Sequence, residues 1–274
     1  MSDDPRFVER MRVEWRGEAR SEALDEIVRE EPLELRIAGV PIAVVMRTPG
    51  HDEELARGFL LGERIVAHAD EIVGIRHCTT VDLPEAEDNI LLIRLADSVE
   101  LDLARLRRNL YTSSSCGVCG KASIAAALAP TRELAGVPPL RVARHTLLQL
   151  PERLRAAQVV FDKTGGLHAA GLFDARGELL VVREDVGRHN ALDKVIGWAA
   201  GQRLDFHALL LCVSGRVSFE LVQKAAAVGI PLLAAVSAPS SLAIELAERA
   251  GIALVGFVRG DRLCVYAGTD RVEG

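Results

Sequence analysis

Leu33, Leu35 and Ile37 fall on one side of an extended segment while Glu34 and Arg36 fall on the other. This is the period-two alternation of a strand with one solvated face. Gly39 supplies a turn into the apolar run Ile42-Ala43-Val44-Val45, opened by Pro41, so a β-hairpin is predicted there. After Pro49-Gly50 the period changes. Leu55 and Phe59 share one face of a short helix over residues 52–61, and Gly62 stops it. Strands are predicted at 71–77 and 89–95, separated by an acidic stretch at 84–88 with the composition of an exposed turn. A polar segment opens at Asn109 and leads into a helix over 121–128 that Pro130 ends. Residues 130–139 repeat Pro and Gly, which break both periods and mark a linker.

Strands and helices then alternate. Pro151 opens a helix to residue 157, and Thr164-Gly165-Gly166 turns the chain into a strand over 167–173. The tetrapeptide DARG at 174–177 joins it to a second strand at 179–183. Leu192, Val195, Ile196 and Ala199 recur at helical spacing. A strand at 209–213, a helix at 219–228, a strand at 230–236 and a helix at 241–250 follow. Strands at 252–258 and 263–266 flank a polar turn. Such short apolar runs belong in a mixed or mainly parallel sheet with helices on both faces.

Composition narrows the function classes. Of 274 residues 49% are apolar and 26% charged, which excludes a disordered or collagen-like chain. The 33 Lys and Arg against 39 Asp and Glu leave a net charge of -6, which argues against a nucleic-acid partner while allowing a local basic site. The first twenty residues alternate charges with isolated apolar side chains and hold no signal-peptide core. No apolar run is long enough for a bilayer. A cytoplasmic protein with no membrane partner is expected.

The five cysteines give no disulfide framework. Cys212 and Cys264 lie in apolar strand-like runs and read as small buried hydrophobes; Cys78 ends an apolar run and stays open. Cys116 and Cys119 differ, because CGVCG at 116–120 is polar and glycine-bearing. Two thiols three positions apart meet across one tight turn. A helix starting near Gly120 or Lys121 would aim its unpaired amides at them and favour thiolate, as would the Lys121 charge. Half a zinc knuckle, a dithiol redox pair, a sulfur-carrying thiolate and a plain tight turn all fit this spacing.

His168 sits in a small, apolar strand approached by glycines, as a half-buried histidine or as part of a ligand site. In EDVGRHNALDK at 184–194, polar chemistry gathers where a strand hands over to a helix. Asp185 can cap that helix, Arg188 can clamp a phosphate or carboxylate, and Asp193, four residues on, can orient His189. A plain ion-paired helix surface is the alternative. Ser214-Gly215-Arg216 and Ser237-Ala238-Pro239-Ser240 each follow a buried strand, where a parallel sheet exposes its carboxyl edge. Their hydroxyls, helix-start amides and Arg216 suit an anion such as a phosphate. Neither a GxGxxG nor a GxxxxGK[ST] run is present.

Taken together, SSSCGVCG at 113–120, TGGLHAAGLFD at 164–174, EDVGRHNALDKVIG at 184–197, SGRVSFELVQKAAAVGIP at 214–231 and SAPSSLAIELAERAGIALVGFVRGDRLCVYAG at 237–268 carry a likeness. The chain resembles the formate dehydrogenase accessory protein family, the FdhD-type sulfurtransferases. The resemblance implies a homodimer with a cytidine-deaminase-like three-layer core on a mixed sheet. The fold class is α/β (α+β overall), with a smaller β-containing amino-terminal region. It implies that Cys116 holds a persulfide drawn from a cysteine desulfurase, with Cys119 assisting or protecting the exchange. Sulfur then passes to the molybdenum bis-guanine-dinucleotide cofactor of formate dehydrogenase. That cofactor is a bound substrate, and no resident metal is expected. The resemblance also assigns Phe257, Val258, Arg259, Gly260, Asp261 and Arg262 to the guanine dinucleotide, a loop that periodicity reads as a polar hairpin turn.

Deamination is not expected. A zinc deaminase needs a Glu close after its ligand and a later CxxC, whereas Ala169 and Ala170 follow His168 and the CxxC lies upstream. The expected organisation is a β-rich region at 1–108, the CxxC loop and its helix at 109–129, a linker at 130–140 and a deaminase-like domain at 141–274. Arg188, Arg216, Arg259 and Arg262 are candidate phosphate contacts. Ser214, Gly215, Ser237 and Ser240 add shorter ones, and His168 and His189 shape the site or steer protons. The expected function is a sulfur carrier; a noncatalytic cofactor-binding chaperone and a general dithiol oxidoreductase are the alternatives.

Overall fold

The computed structural model describes residues 4–79, 88–101 and 140–274. Cys116, Cys119, the helix expected at 121–128 and the linker at 130–139 lie outside the described residues, as does most of the acidic turn. Among the described residues no helix is long and apolar enough to cross a membrane.

Strands β1 (Phe7–Arg16) and β2 (Ala19–Val28) form an antiparallel hairpin. Sequence reading did not place it, because Met11, Val13 and Trp15 alternate with charges yet remain exposed. Among the described residues it is anchored at its base, where Phe7 is buried with Val160 and Leu167. The predicted hairpin at 33–45 is β3 (Glu31–Ile37) and β4 (Val40–Arg47). Helix α1 (Asp52–Gly62) follows, and then β5 (Ile72–His77) and β6 (Ile90–Leu95) complete a sheet of order β4-β3-β6-β5. Leu33, Leu35, Ile37, Leu91 and Ile93 join Leu55 and Leu60 of α1 in one core. α1 ends with Gly62, one residue past the expected limit, and the missing Cβ there makes room for Lys224, whose Cγ lies 3.0 Å from where a Cβ would sit.

After the short β7 (Val142–Ala143), helix α2 (Arg144–Ala156) contains Pro151 instead of starting at it. Leu147, Leu150 and Leu154 continue one buried stripe through the proline. Their burial, about 1.5–3 kcal/mol per side chain, outweighs the one hydrogen bond that proline withholds. A short α3 (Val159–Thr164) leads into the main sheet.

That sheet contains β8 (His168–Phe173), β9 (Leu179–Asp185), β10 (Leu210–Val213), β11 (Leu232–Ala235), β12 (Ala253–Arg259) and β13 (Arg262–Ala267). Its order is β13-β12-β11-β10-β8-β9. The neighbours β10, β11 and β12 run parallel, while β8, β9 and β13 pair antiparallel. The sheet is therefore mixed. Helices α4 (Arg188–Gly201), α5 (Phe219–Val228) and α6 (Ser241–Ala250) carry the chain between strands and share the core of α1. On the opposite face α2 packs against Ala169, Phe173, Leu210, Cys212 and Val255. A terminal strand, β14 (Val272–Glu273), pairs with β7.

The two halves meet at a helix crossing without side chains. A Cβ on Gly58 would lie 1.8 Å from the Asp193 carbonyl oxygen, and one on Gly197 would lie 1.8 Å from that of Glu54. Charged pairs surround the crossing. Arg183 grips Glu54 through two bonds of 2.6 and 2.8 Å, and Lys224 bridges Asp193 and Glu63 at 2.9 Å each. Arg47 grips Asp52 in the same bidentate manner.

Candidate functional site

Because β9, β10 and β11 each feed a helix on the same face of the sheet, α4, α5 and α6 all begin at one strand edge. The amino ends of β8 and β13 reach the same edge, since both run opposite to their neighbours. The N–H groups of a helix's first turn lack intrahelical acceptors, so three such ends favour an anion there.

The loops between these elements are tied together. The Ala169 amide donates to Ser214 Oγ (2.9 Å), and the Ser214 amide returns a bond to the Ala169 carbonyl (3.0 Å). The Val217 amide donates to the Ala238 carbonyl, and the Ser240 amide donates to the carbonyl of Val217 (2.9 Å). The segments SGRVS and SAPSS therefore run side by side. Ser240 caps α6, its Oγ accepting from the Ala243 amide at 3.3 Å. In Ser214 and Ser240 the oxygen accepts a backbone bond, which leaves the O–H to donate outward.

His168 opens β8 opposite Asp185, and its ring rests on Gly215: a Cβ there would be 3.2 Å from Nδ1. Burial lowers the His168 pKa, and the charges of Arg188, His189 and Arg216 lower it further. Asp185 pulls the other way, but its carboxylate is occupied. One oxygen accepts from the Gly187 amide (2.8 Å) and Asn190 Nδ2 (2.9 Å); the other takes the Thr48 amide (3.1 Å) and Lys194 Nζ (2.7 Å). Asp185 thus braces the start of α4 without being its N-cap, which is Gly187. Arg188 is partly buried at that start, and its Nε is enclosed with no hydrogen-bond partner.

The expected His189–Asp193 contact is not formed. Asp193 turns to Lys224, while His189 Nε2 faces Glu220 (3.7 Å) and Ser218 Oγ (3.5 Å) from α5 and its approach. The buried Lys224 ammonium is the stronger claim on Asp193. Burial raises the Glu220 pKa, but hydrogen bonds from His189 and Ser218 outweigh it and hold the carboxyl at about 2. Ser218 and Glu220 escaped sequence reading because some thirty positions separate them from His189 (|i−j| = 29 for Ser218).

The 257–262 loop closes the far side. The Phe257 amide donates to the Ser237 carbonyl (3.2 Å), and the residue takes a left-handed φ of 52° with its ring exposed. Arg262 lies 5.7 Å from the centre of that ring. Gly256 is needed beneath it, since a Cβ would meet Pro239 Cδ at 3.0 Å. The expected loop is mostly strand: Phe257 to Arg259 end β12, Arg262 opens β13, and only Gly260 and Asp261 form the turn, with Arg259, Gly260 and Asp261 all exposed. The Val258 side chain is buried in the core, so it can reach a ligand through its backbone alone. Cys212 is buried as expected, and burial pushes its thiol up to about 12. Cys264 is half-buried, with Arg262 Nη2 3.9 Å from its sulfur. Among the described residues no group of three or more His, Cys, Asp or Glu side chains is placed to hold a metal ion.

The sulfur carrier protein FdhD of Mycolicibacterium paratuberculosis is 53% identical over 248 residues, covering 90% of this chain and 91% of that protein. The protein of the same name from Streptomyces avermitilis is 52% identical over 272 residues, 97% of this chain and 96% of that one. A crystal structure from Desulfotalea psychrophila, assigned as a formate dehydrogenase accessory protein, superposes with a TM-score of 0.79 at 25% identity, over 98% of this chain and 100% of that one. The family model for FdhD/NarQ matches residues 28–273, nearly the whole chain. The chain belongs to the FdhD/NarQ family.

Proposed function

We propose that this chain is a sulfur carrier serving formate dehydrogenase maturation, and that the edge built by the starts of α4, α5 and α6 receives the guanine-dinucleotide part of its molybdenum-bearing substrate. The names of the curated relatives supply sulfur carriage. The observation that carries the placement is the convergence of three helix starts with Arg188, Arg216, His168 and His189 beside the exposed Phe257 ring. Arginines and helix amides suit a pyrophosphate, and an exposed ring flanked by Arg262 suits a planar base.

In the loading step the Cys116 thiolate attacks the terminal sulfur of a persulfide on a cysteine desulfurase. A sulfur–sulfur bond forms at Cys116, the donor's bond breaks, and the donor cysteine leaves as thiolate, so neither oxidant nor reductant is consumed. Cys119 assists or shields the loaded thiol. In the transfer that would follow, the sulfur–sulfur bond breaks, Cys116 is left as thiolate, and the two electrons that bring the sulfane sulfur to the sulfide level would come from the reduced molybdenum of the bis-guanine-dinucleotide substrate. A cytoplasmic homodimer, a cytidine-deaminase-like core at 141–274 and a distinct amino-terminal region at 1–108 belong to the same reading; helices on both faces of the mixed sheet support the core.

Anaerobic incubation with desulfurase and labelled cysteine tests it. Label is expected on Cys116 and on the matured dehydrogenase, and neither in Cys116→Ala. A normal sulfur load in that variant overturns the assignment. Full maturation by the Cys116→Ala/Cys119→Ala double variant would instead leave a chaperone that only binds.

A further inference from the structure

Among the groups at the strand edge, His168 stands apart. From β9 it faces Asp185, whose oxygens are already engaged by four donors. The charges of Arg188 and His189 on α4 and of Arg216 in the loop after β10 act on it. The carboxylate of α5, Glu220, is turned to His189. Among the described residues His168 therefore lies near the positive charges of Arg188 and Arg216, while Asp185, which favours its charged form, is already shared among four donors. Its ring presents Nδ1 and Cε1 to Gly215, so Nε2 is the nitrogen further from that backbone.

We propose that His168 couples anion binding at this edge to the uptake of one proton, so that the site grips its pyrophosphate-bearing substrate as the imidazolium and releases it as the imidazole. This rests on the edge being the substrate site, as argued above. In the free site, burial and the neighbouring charges, those of Arg188 and Arg216 among them, disfavour the charged ring. A bound anion neutralises those neighbours and adds a negative charge, which reverses the balance. The proton comes from solvent and returns to it on release, and no covalent bond changes. The direction follows. Because the pKa of the free site is depressed and that of the occupied site is raised, binding strengthens as pH falls between the two values and becomes pH-independent outside them.

The site thereby gains a release mechanism that its arginines cannot supply, since guanidinium groups stay charged throughout. His189 is less suited to this role, because its imidazole already faces Glu220 and Ser218 and gains less from a second anion.

GDP-mannose is a suitable probe. It carries guanine and a pyrophosphate diester that does not itself titrate near neutrality. Calorimetry of its binding to the full chain, in buffers of differing ionisation heat, counts the protons taken up. Wild type is expected to take up a measurable fraction of a proton, at most one per ligand, in the window between the free and occupied pKa values, with affinity rising up to about tenfold per pH unit of acidification there. His168→Gln should bind with no uptake and a flat profile, while His145→Gln, exposed on α2 across the sheet, keeps both. Retention of the uptake in His168→Gln, or pH-independent binding by wild type, overturns the coupling and leaves the binding site standing. Failure of wild type to bind the probe at any pH overturns the site and the coupling together. An NMR titration of the His168 ring in the free protein checks the folded variants independently, since its free pKa must lie below the ordinary histidine value.

Discussion

Lys194 is the sharpest place to perturb this architecture. Its side chain is 1% exposed, its Nζ is 2.7 Å from Asp185 Oδ2, and it donates to the Thr48 carbonyl at 2.8 Å. Asp185 is itself wholly buried. Lys194→Met fills a similar volume but leaves the Asp185 carboxylate with three N–H donors and no countercharge. Breaking one side of a buried pair costs about 3–5 kcal/mol. At about 2–4 °C per kcal/mol for a chain of this size, the unfolding midpoint should fall by about 6–20 °C. Combining Lys194→Met with Asp185→Asn removes the stranded charge, so the double variant should recover about 1–3 kcal/mol relative to Lys194→Met. Urea unfolding of wild type, both single variants and the double variant, followed by circular dichroism, completes the cycle. A loss below about 1 kcal/mol in Lys194→Met, or a double variant no better than it, would refute the claim that this pair is a coupled buried charge.

Gly197→Ala should destabilise by about 1–3 kcal/mol or more, because the new methyl would sit 1.8 Å from the Glu54 carbonyl oxygen and force α1 away from α4. Gly201→Ala in the same helix meets only the flexible end of Arg57 at 3.3 Å; a thermal melt should find it neutral or slightly stabilising. The Arg183–Glu54 pair predicts an acid limb. Burial raises the Glu54 pKa, but hydrogen bonds from Arg183 and His51 prevail and hold it at about 2. A depressed folded pKa means that this contribution is complete above the ordinary glutamate range and fades as pH falls towards 2. As the pair is partly exposed, its share is about 1 kcal/mol. Glu54→Gln should flatten the stability profile between about pH 4.5 and 2, and an unchanged acid limb would count against the pairing.

The repeating part of the fold was legible because short apolar strands and periodic helices carry their burial in local pattern. The strands at 209–213 and 230–236 and the helices at 219–228 and 241–250 stand within two residues of their expected limits. The hairpin at 7–28 was hidden by its own exposure, since Met11 and Trp15 alternate on a face that nothing among the described residues covers. Pro151 misled because its penalty is local, while the stripe that overrides it, Leu147 to Leu154, is paid by the sheet beneath. At the site, Ser214, Arg216 and Ser240 followed from strand-end topology, and His168 and Arg188 from their setting. The partners of His189 did not. A helix spacing of four pointed to Asp193, but that carboxylate is fixed by Lys224, thirty-one positions away. Phe257 came from the family resemblance and not from residue pattern, because a positive φ at a bulky residue has no sequence signature.

The distribution of charge explains why an acidic chain presents a cationic edge. Buried cations must be paired, and Lys194, Lys224, Arg47 and Arg183 each hold a carboxylate at 2.9 Å or less. Those pairs consume Asp185, Asp193, Asp52 and Glu54, the carboxylates nearest the joint between the two halves. Arg188 and Arg216 then stand at the starts of α4 and α5 with no ion pair among the described residues, and the enclosed Arg188 Nε has no acceptor. An enclosed N–H without an acceptor costs about 1–3 kcal/mol, which an arriving phosphate oxygen would recover. Thr48 links the two arrangements. Its amide and carbonyl hold Asp185 and Lys194, and its hydroxyl accepts from the Val186 amide, two residues before Arg188. The amino-terminal half is thus the clamp that keeps the carboxylates engaged and the arginines available, and the proposed anion site would depend on contacts well outside its own loops.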